Sequence, residues 1–147
     1  MDKKELKRFL IKNEFNTIEN TEERLLEFVK GTLLNRNDVI DQDDQSHHRQ
    51  EERLREKLHD QVHIHHHHLE EIKALSFSTS DVVEPGAVIK VKDSYMVIAI
   101  PDGNFKFDGK DFISISTKAP LYQCMKGKKK GDMCSFNNYD FIIEDIY

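Results

Sequence analysis

The chain has 147 residues, 33% charged and 37% hydrophobic, with a formal net charge of −5 and a mean hydropathy of −0.67. No apolar run approaches the roughly 20 residues of a membrane-spanning helix, and the opening MDKKELKRFL lacks the apolar stretch of a secretory signal. An acidic balance argues against coating nucleic acid through clustered Lys and Arg. Two cysteines ten positions apart, Cys124 and Cys134, make neither a disulfide framework nor a CxxC metal knuckle, so reduced thiols in the cytoplasm are expected.

Residues 1–75 contain one glycine, Gly31, and no proline; all three prolines and the other five glycines follow. This segregation predicts a helical module ahead of a turn-rich one. Ile11, Phe15, Ile18, Glu22, Leu25, Val29 and Thr32/Leu33 recur at spacings of three and four, a heptad seam with Glu22 as a polar defect. A second seam runs through Leu54, Leu58, Gln61/Val62, His65, Leu69 and Ile72. Between them, residues 35–46 are aperiodic and rich in Asn and Asp, which favour turns. The pattern predicts an antiparallel coiled-coil hairpin over 1–75 with a polar tip.

From residue 80 the period shortens. AVIKVK (87–92) and YMVIAI (95–100) predict a hairpin across Asp93-Ser94, and FKF (105–107) and FISIS (112–116) flank a Gly-Lys-Asp turn. Pro120 suits a first helical position and Gly127 a C-terminal cap, bracketing a short helix over 121–126. MCSF (133–136) and YDFIIEDI (139–146) close the chain across Asn137-Asn138. The fold class expected is α+β: a helical hairpin followed by a small, mostly antiparallel sheet domain, 80–147, with one short helix.

Charge is concentrated locally. Asp38, Asp41, Asp43 and Asp44 lie within seven residues of the predicted tip; Lys126, Lys128, Lys129 and Lys130 lie within five. Carboxylates are the hard oxygen ligands that Mg²⁺ takes, often keeping several waters, and paired carboxylates can orient a water for attack on a phosphodiester. An acidic turn at the start of a helix also has a purely structural reading. Arg49 and Arg53, one turn apart, could meet an RNA backbone, although Glu51, Glu52 and Glu56 between and beyond them also suit a salt-bridged surface. His59, His63, His66 and His67 share a helix face opposite the apolar seam. Spacing of i, i+4 suits Zn²⁺ or Ni²⁺, but no fixed third ligand is evident, and a solvated face is the simpler reading. His65 alone falls in the apolar stripe.

The second half resembles the C-terminal domain of the bacterial transcript-cleavage factors GreA and GreB, carried by EPGAVIKV (84–91), FISIS and above all APLYQCMKGKKKGD (119–132). Pro120, Leu121, Gly127, Lys128, Gly131 and Asp132 sit on the family pattern. The resemblance implies an FKBP-like C-terminal domain that docks on RNA polymerase through Pro120, Leu121, Lys126, Gly127, Lys128, Gly131 and Asp132. It implies a hairpin that enters the secondary channel of the polymerase. Asp41 and Asp44 would assist cleavage of backtracked RNA at its 3′ end, with Asp43 as a further metal contact and Arg49 and Arg53 on the nucleic acid. The family carries D-x-x-E at the tip; here Asp41-Gln42-Asp43-Asp44 gives D-x-x-D, shorter by one methylene. The chain would be no enzyme by itself and would hold no cofactor of its own; the Mg²⁺ is shared with the polymerase. No membrane partner is expected, and a monomer is the state assumed. Two rival readings are a Gre-like competitor that occupies the channel without stimulating cleavage, and a coiled-coil interaction protein outside transcription.

Overall fold

The computed structural model describes residues 1–35 and 44–147, with side chains over 1–34 and 46–147. Helix α1 spans Lys3–Asn35 and helix α2 Asp44–Ala74, which at about 1.5 Å per residue are roughly 50 and 46 Å long. Asp2 caps α1: its Oδ1 accepts the N–H groups of Lys4 and Glu5 at 2.9 and 3.2 Å. Two compact units form, one of Ile11–Glu70 and one of Met1–Leu10 with Glu71–Tyr147.

In the helical unit α1 and α2 run antiparallel, so that Glu14 meets His65 and His68 and Glu22 meets His66. The stripe that α1 buries differs from the expected seam. It continues from Leu6 and Leu10 through Glu14, Ile18 and Thr21, leaving Phe15 at 51% exposure. Leu6 and Leu10 are fully buried, and steps of four from them bring Glu14 inward. On α2 the expected seam holds at Leu58, Leu69 and Ile72, whereas Leu54 is exposed. The hydroxyls of Thr17, Thr21 and Thr32 bond back to carbonyls four residues earlier, satisfying themselves without leaving the helix.

The sheet unit contains β1 (Val88–Val91), β2 (Ser94–Ala99), β3 (Gly103–Phe107), β4 (Lys110–Ser116), α3 (Pro120–Met125), β5 (Met133–Phe136), β6 (Tyr139–Ile142) and β7 (Asp145–Ile146). Five strands are ordered β3-β4-β2-β1-β7, and β5-β6 form a separate hairpin. The sheet is mostly antiparallel, as expected; its parallel pair is β2 with β4, in register from Tyr95↔Phe112 to Ala99↔Ser116. β3 pairs with the outer edge of β4, so β4 returns alongside β2 in the same direction. The last expected strand is also two. After β6, Ile143 N–H donates to the Asp132 carbonyl and Glu144 N–H to that of Lys90, and β7 pairs with β1.

Two hairpin turns lie one residue earlier than expected. Val91 pairs with Ser94, which makes Lys92-Asp93 the loop, with Lys92 at φ 53°. Phe107 pairs with Lys110, which makes Asp108-Gly109 the loop. Asn137 and Asn138 turn where expected, at φ 51° and 64°, the left-handed pair that matches strand twist. Alternation along the strands gives the sheet two covered faces. On one, Ile89, Val91, Ile98 and Ile115 pack with Tyr122 and Met125 of α3, Cys134 and Ile143. On the other, Phe105 stacks on Phe112 at 5.3 Å, and Phe9 of α1 stacks on Phe105 at 5.5 Å.

Candidate functional site

The residues from Ala119 to Met133 form a compact turn system whose parts are fixed by main-chain bonds. Pro120 opens α3, where a missing N–H costs nothing; its ring is exposed, while Tyr122 and Met125 are buried and Leu121 lies partly buried against the core. Lys126 N–H donates back to the Tyr122 carbonyl at 2.8 Å. Gly127, at φ 74°, then reverses the chain so that its N–H reaches the Val83 carbonyl at 2.9 Å and the Lys128 carbonyl accepts from Val83 N–H at 2.9 Å. Asp132 closes the next turn: its Oδ2 accepts Lys129 N–H at 2.8 Å, and its own N–H donates to the Lys129 carbonyl at 3.0 Å. Gly131, at φ 90°, hands its N–H to Ile143.

Of the four lysines, two are held. Lys128 Nζ donates to the Met133 carbonyl at 2.7 Å, and Lys130 Nζ pairs with Asp145 Oδ1 at 2.9 Å. That hydrogen bond holds the Asp145 carboxyl below its ordinary range. The Lys126 and Lys129 side chains are exposed. Beyond the turn, Met133 and Ile142 form a cross-strand pair and are both exposed. Cys124 is half-buried and Cys134 buried, both as free thiols; burial pushes the Cys134 thiol up.

Arg49 and Arg53 lie exposed on α2, one turn apart. Asp38, Asp41 and Asp43 lie outside the described residues; Asp44 is the first residue of α2, and its side chain lies outside them too. As a donor set these carboxylates suit Mg²⁺ by chemistry.

The six histidines of residues 59–68 divide into two groups. His59, His63, His66 and His67 are exposed, with the His59 and His63 rings edge-to-face at 4.6 Å. His65 and His68 instead turn to Glu14, which is 1% exposed. Glu14 Oε1 lies 2.7 Å from His65 Nδ1 and 3.2 Å from His68 Nδ1, and the two rings are edge-to-face at 5.8 Å. A buried carboxylate thus stands beside a histidine pair, a partner that the sequence pattern alone does not place there. The signal available was the step of four from Leu10 to Glu14 and the i, i+3 spacing of His65 and His68.

No family profile matches the chain, and no curated protein matches it. Solved structures do. The similarity is to a GreA-factor homologue. GreA factor homolog 1 (Gfh1) of Thermus thermophilus is 18% identical over 93% of this chain and 94% of its own, with a TM-score of 0.36. A second structure, of "the transcription factor Gfh1", is 18% identical with a TM-score of 0.37, covering 94% of this chain and 93% of that one. Gfh1 of Thermus aquaticus is 16% identical over 94% of both chains, again at 0.37. Among the described residues no helix is long and apolar enough to cross a membrane.

Proposed function

We propose that the chain is a Gre-type transcription elongation factor: it binds RNA polymerase, places its helical hairpin in the secondary channel and promotes cleavage of backtracked RNA. The observation that carries this reading is the turn system at 119–132. Four of the six motif positions shape the backbone there: Pro120 starts the helix, Gly127 and Gly131 take positive φ, and Asp132 closes a turn. Two helices of about 50 Å precede it in the chain, long enough to reach a site remote from a docking surface. Lys126, Lys129 and the exposed Met133–Ile142 pair offer that docking surface a basic rim and an apolar centre.

In this reading Asp41 and Asp44 act at the polymerase, with Asp43 and Asp38 as the carboxylates that could stand in for them. They would hold a water, and an ion the polymerase binds, beside the scissile phosphodiester; the Mg²⁺ supplies Lewis acidity and a low-pKa water. Arg49 and Arg53 would lie against the RNA backbone. The chain contributes ligands and is not itself an enzyme.

The test is RNA cleavage in stalled, backtracked elongation complexes, with wild type and Asp41→Asn/Asp44→Asn. Cleavage that rises at least about tenfold with wild type and not with the double variant supports the reading. Binding without cleavage replaces it with a channel competitor, which the D-x-x-D tip would also suit. No binding to polymerase removes both and leaves a coiled-coil interaction protein.

A further inference from the structure

We propose that Glu14, His65 and His68 form a binding site for a divalent transition-metal ion, of which Zn²⁺ is the best fit, bridging α1 and α2 inside the helical unit. The three residues each offer one ligand atom, and all three atoms lie within 4.8 Å of one another. In a tetrahedral Zn²⁺ site with bonds of about 2.0–2.1 Å, ligand atoms sit roughly 3.3 Å apart. The two Glu14–imidazole edges, 2.7 and 3.2 Å, need to open by about 0.6 and 0.1 Å to admit the ion. Histidines at i and i+3 present both rings on one helix face, and the carboxylate comes from the opposite helix, so the geometry is set by the hairpin rather than by a flexible loop.

Burial strengthens the assignment. A carboxylate at 1% exposure must be compensated by a proton, a partner charge or a metal. Its partners here are two imidazoles on a single oxygen. The His65 and His68 side chains are 26% and 15% exposed, which leaves one side of the cluster open to solvent for entry of the ion and for a water in the fourth position. Two imidazole nitrogens and one carboxylate oxygen are a donor set for Zn²⁺, Co²⁺ or Ni²⁺ and a poor one for Mg²⁺, which demands six near-octahedral oxygens. The ion would cross-link residue 14 to residues 65 and 68, staking the two helices together. This site is separate from the Mg²⁺ chemistry proposed for the tip and stands whether or not that reading does.

The experiment titrates the full chain, produced without an affinity tag and stripped with chelator, with Zn²⁺ alone in a calorimeter and with Co²⁺ by absorption spectroscopy. Wild type is expected to bind one equivalent at micromolar Kd or tighter, unaffected by millimolar Mg²⁺. Co²⁺ should give the intense visible bands of a four-coordinate site, and saturating Zn²⁺ should raise the thermal midpoint by about 5 °C or more. Glu14→Gln, His65→Gln and His68→Gln should each weaken binding at least tenfold, while His59→Gln/His63→Gln changes it less than twofold. If Glu14→Gln proves unfolded by circular dichroism, His68→Gln, at a part-exposed position, decides. Absence of Zn²⁺ binding in wild type overturns the proposal, leaving a hydrogen-bonded Glu–His cluster. So does binding that survives His65→Gln and His68→Gln but is lost in His59→Gln/His63→Gln.

Discussion

Substituting Gly86 by alanine should strike the sheet unit far harder than the same change at Gly131, although both glycines have nearly the same φ, +86° and +90°. Gly86 follows Pro85 in a turn closed by Ala87 N–H to the Glu84 carbonyl at 3.0 Å, and its own N–H donates to Ile98 at 2.8 Å. A left-handed φ costs an alanine about 1–2 kcal/mol at either site. At Gly86 a Cβ would also lie 1.9 Å from the Ser76 carbonyl oxygen, whereas at Gly131 it meets nothing within 4 Å. The Ser76 backbone must therefore retreat by about 1 Å to reach even the shortest contact real Cβ atoms make, and overpacking of this kind costs about 1–3 kcal/mol. Gly86→Ala should lose about 2–5 kcal/mol, or roughly 10 °C in Tm for a chain of this size; Gly131→Ala should lose about 1–2. All four tyrosines, Tyr95, Tyr122, Tyr139 and Tyr147, belong to the sheet unit, so urea titration followed by tyrosine fluorescence reads this unit selectively. Equal losses for the two variants would refute the close approach of Ser76 to the turn.

The two thiols should separate kinetically: Cys134, buried and with its pKa raised by that burial, should react with a disulfide reagent at least about tenfold more slowly than Cys124. Equal rates in the folded protein would contradict its packing beneath α3. Acid should weaken the sheet unit. Glu144 and Asp145 carry carboxyls lowered by hydrogen bonds to Lys90 and Lys130. Groups depressed in the folded state stabilise it above their unfolded values, near 4.5 and 3.8, and lose that contribution as pH falls through the folded ones. The thermal midpoint should thus drop between pH 5 and 3, modestly because both groups are exposed. Glu144→Gln/Asp145→Asn should flatten the slope; an unchanged slope would place the acid sensitivity elsewhere.

Local chemistry made much of this fold readable. Pro120 fixes its own φ, while Gly127 and Asn137-Asn138 tolerate the positive φ that a chain reversal needs, and the element starts and stops they imply are present. What one-dimensional pattern does not encode is which strands become neighbours. The parallel pairing of β2 with β4 depends on β3 taking the far edge, a choice made by packing two faces of apolar residues rather than by any one turn. The slips at Lys92 and Asp108 have a similar origin, since register follows alternation across the whole pair. On α1 the apolar character of Ile11 and Phe15 points a hydropathy pattern one residue away from Glu14. A buried carboxylate is a poor guess from hydropathy and becomes reasonable only once His65 and His68 are seen opposite it. The lysine-rich turn was legible as a motif, but that Lys128 and Lys130 are held by Met133 and Asp145 required the three-dimensional closure of β5 and β7.

The last two-residue strand has a protective role out of proportion to its length. β1, with the sequence VIKV, is among the most apolar strands of the sheet and three of its four residues are buried. Without β7 its outer row of N–H and C=O groups would face solvent as a flat template for another chain. β7 occupies that row at Ile89 and Lys90, Val88 and Tyr147 exchange further main-chain bonds, and Glu144 sets a carboxylate against Lys90 beside it. Two short residues of strand thus close an edge that the rest of the sheet leaves open, while Ile146 adds a side chain against the core.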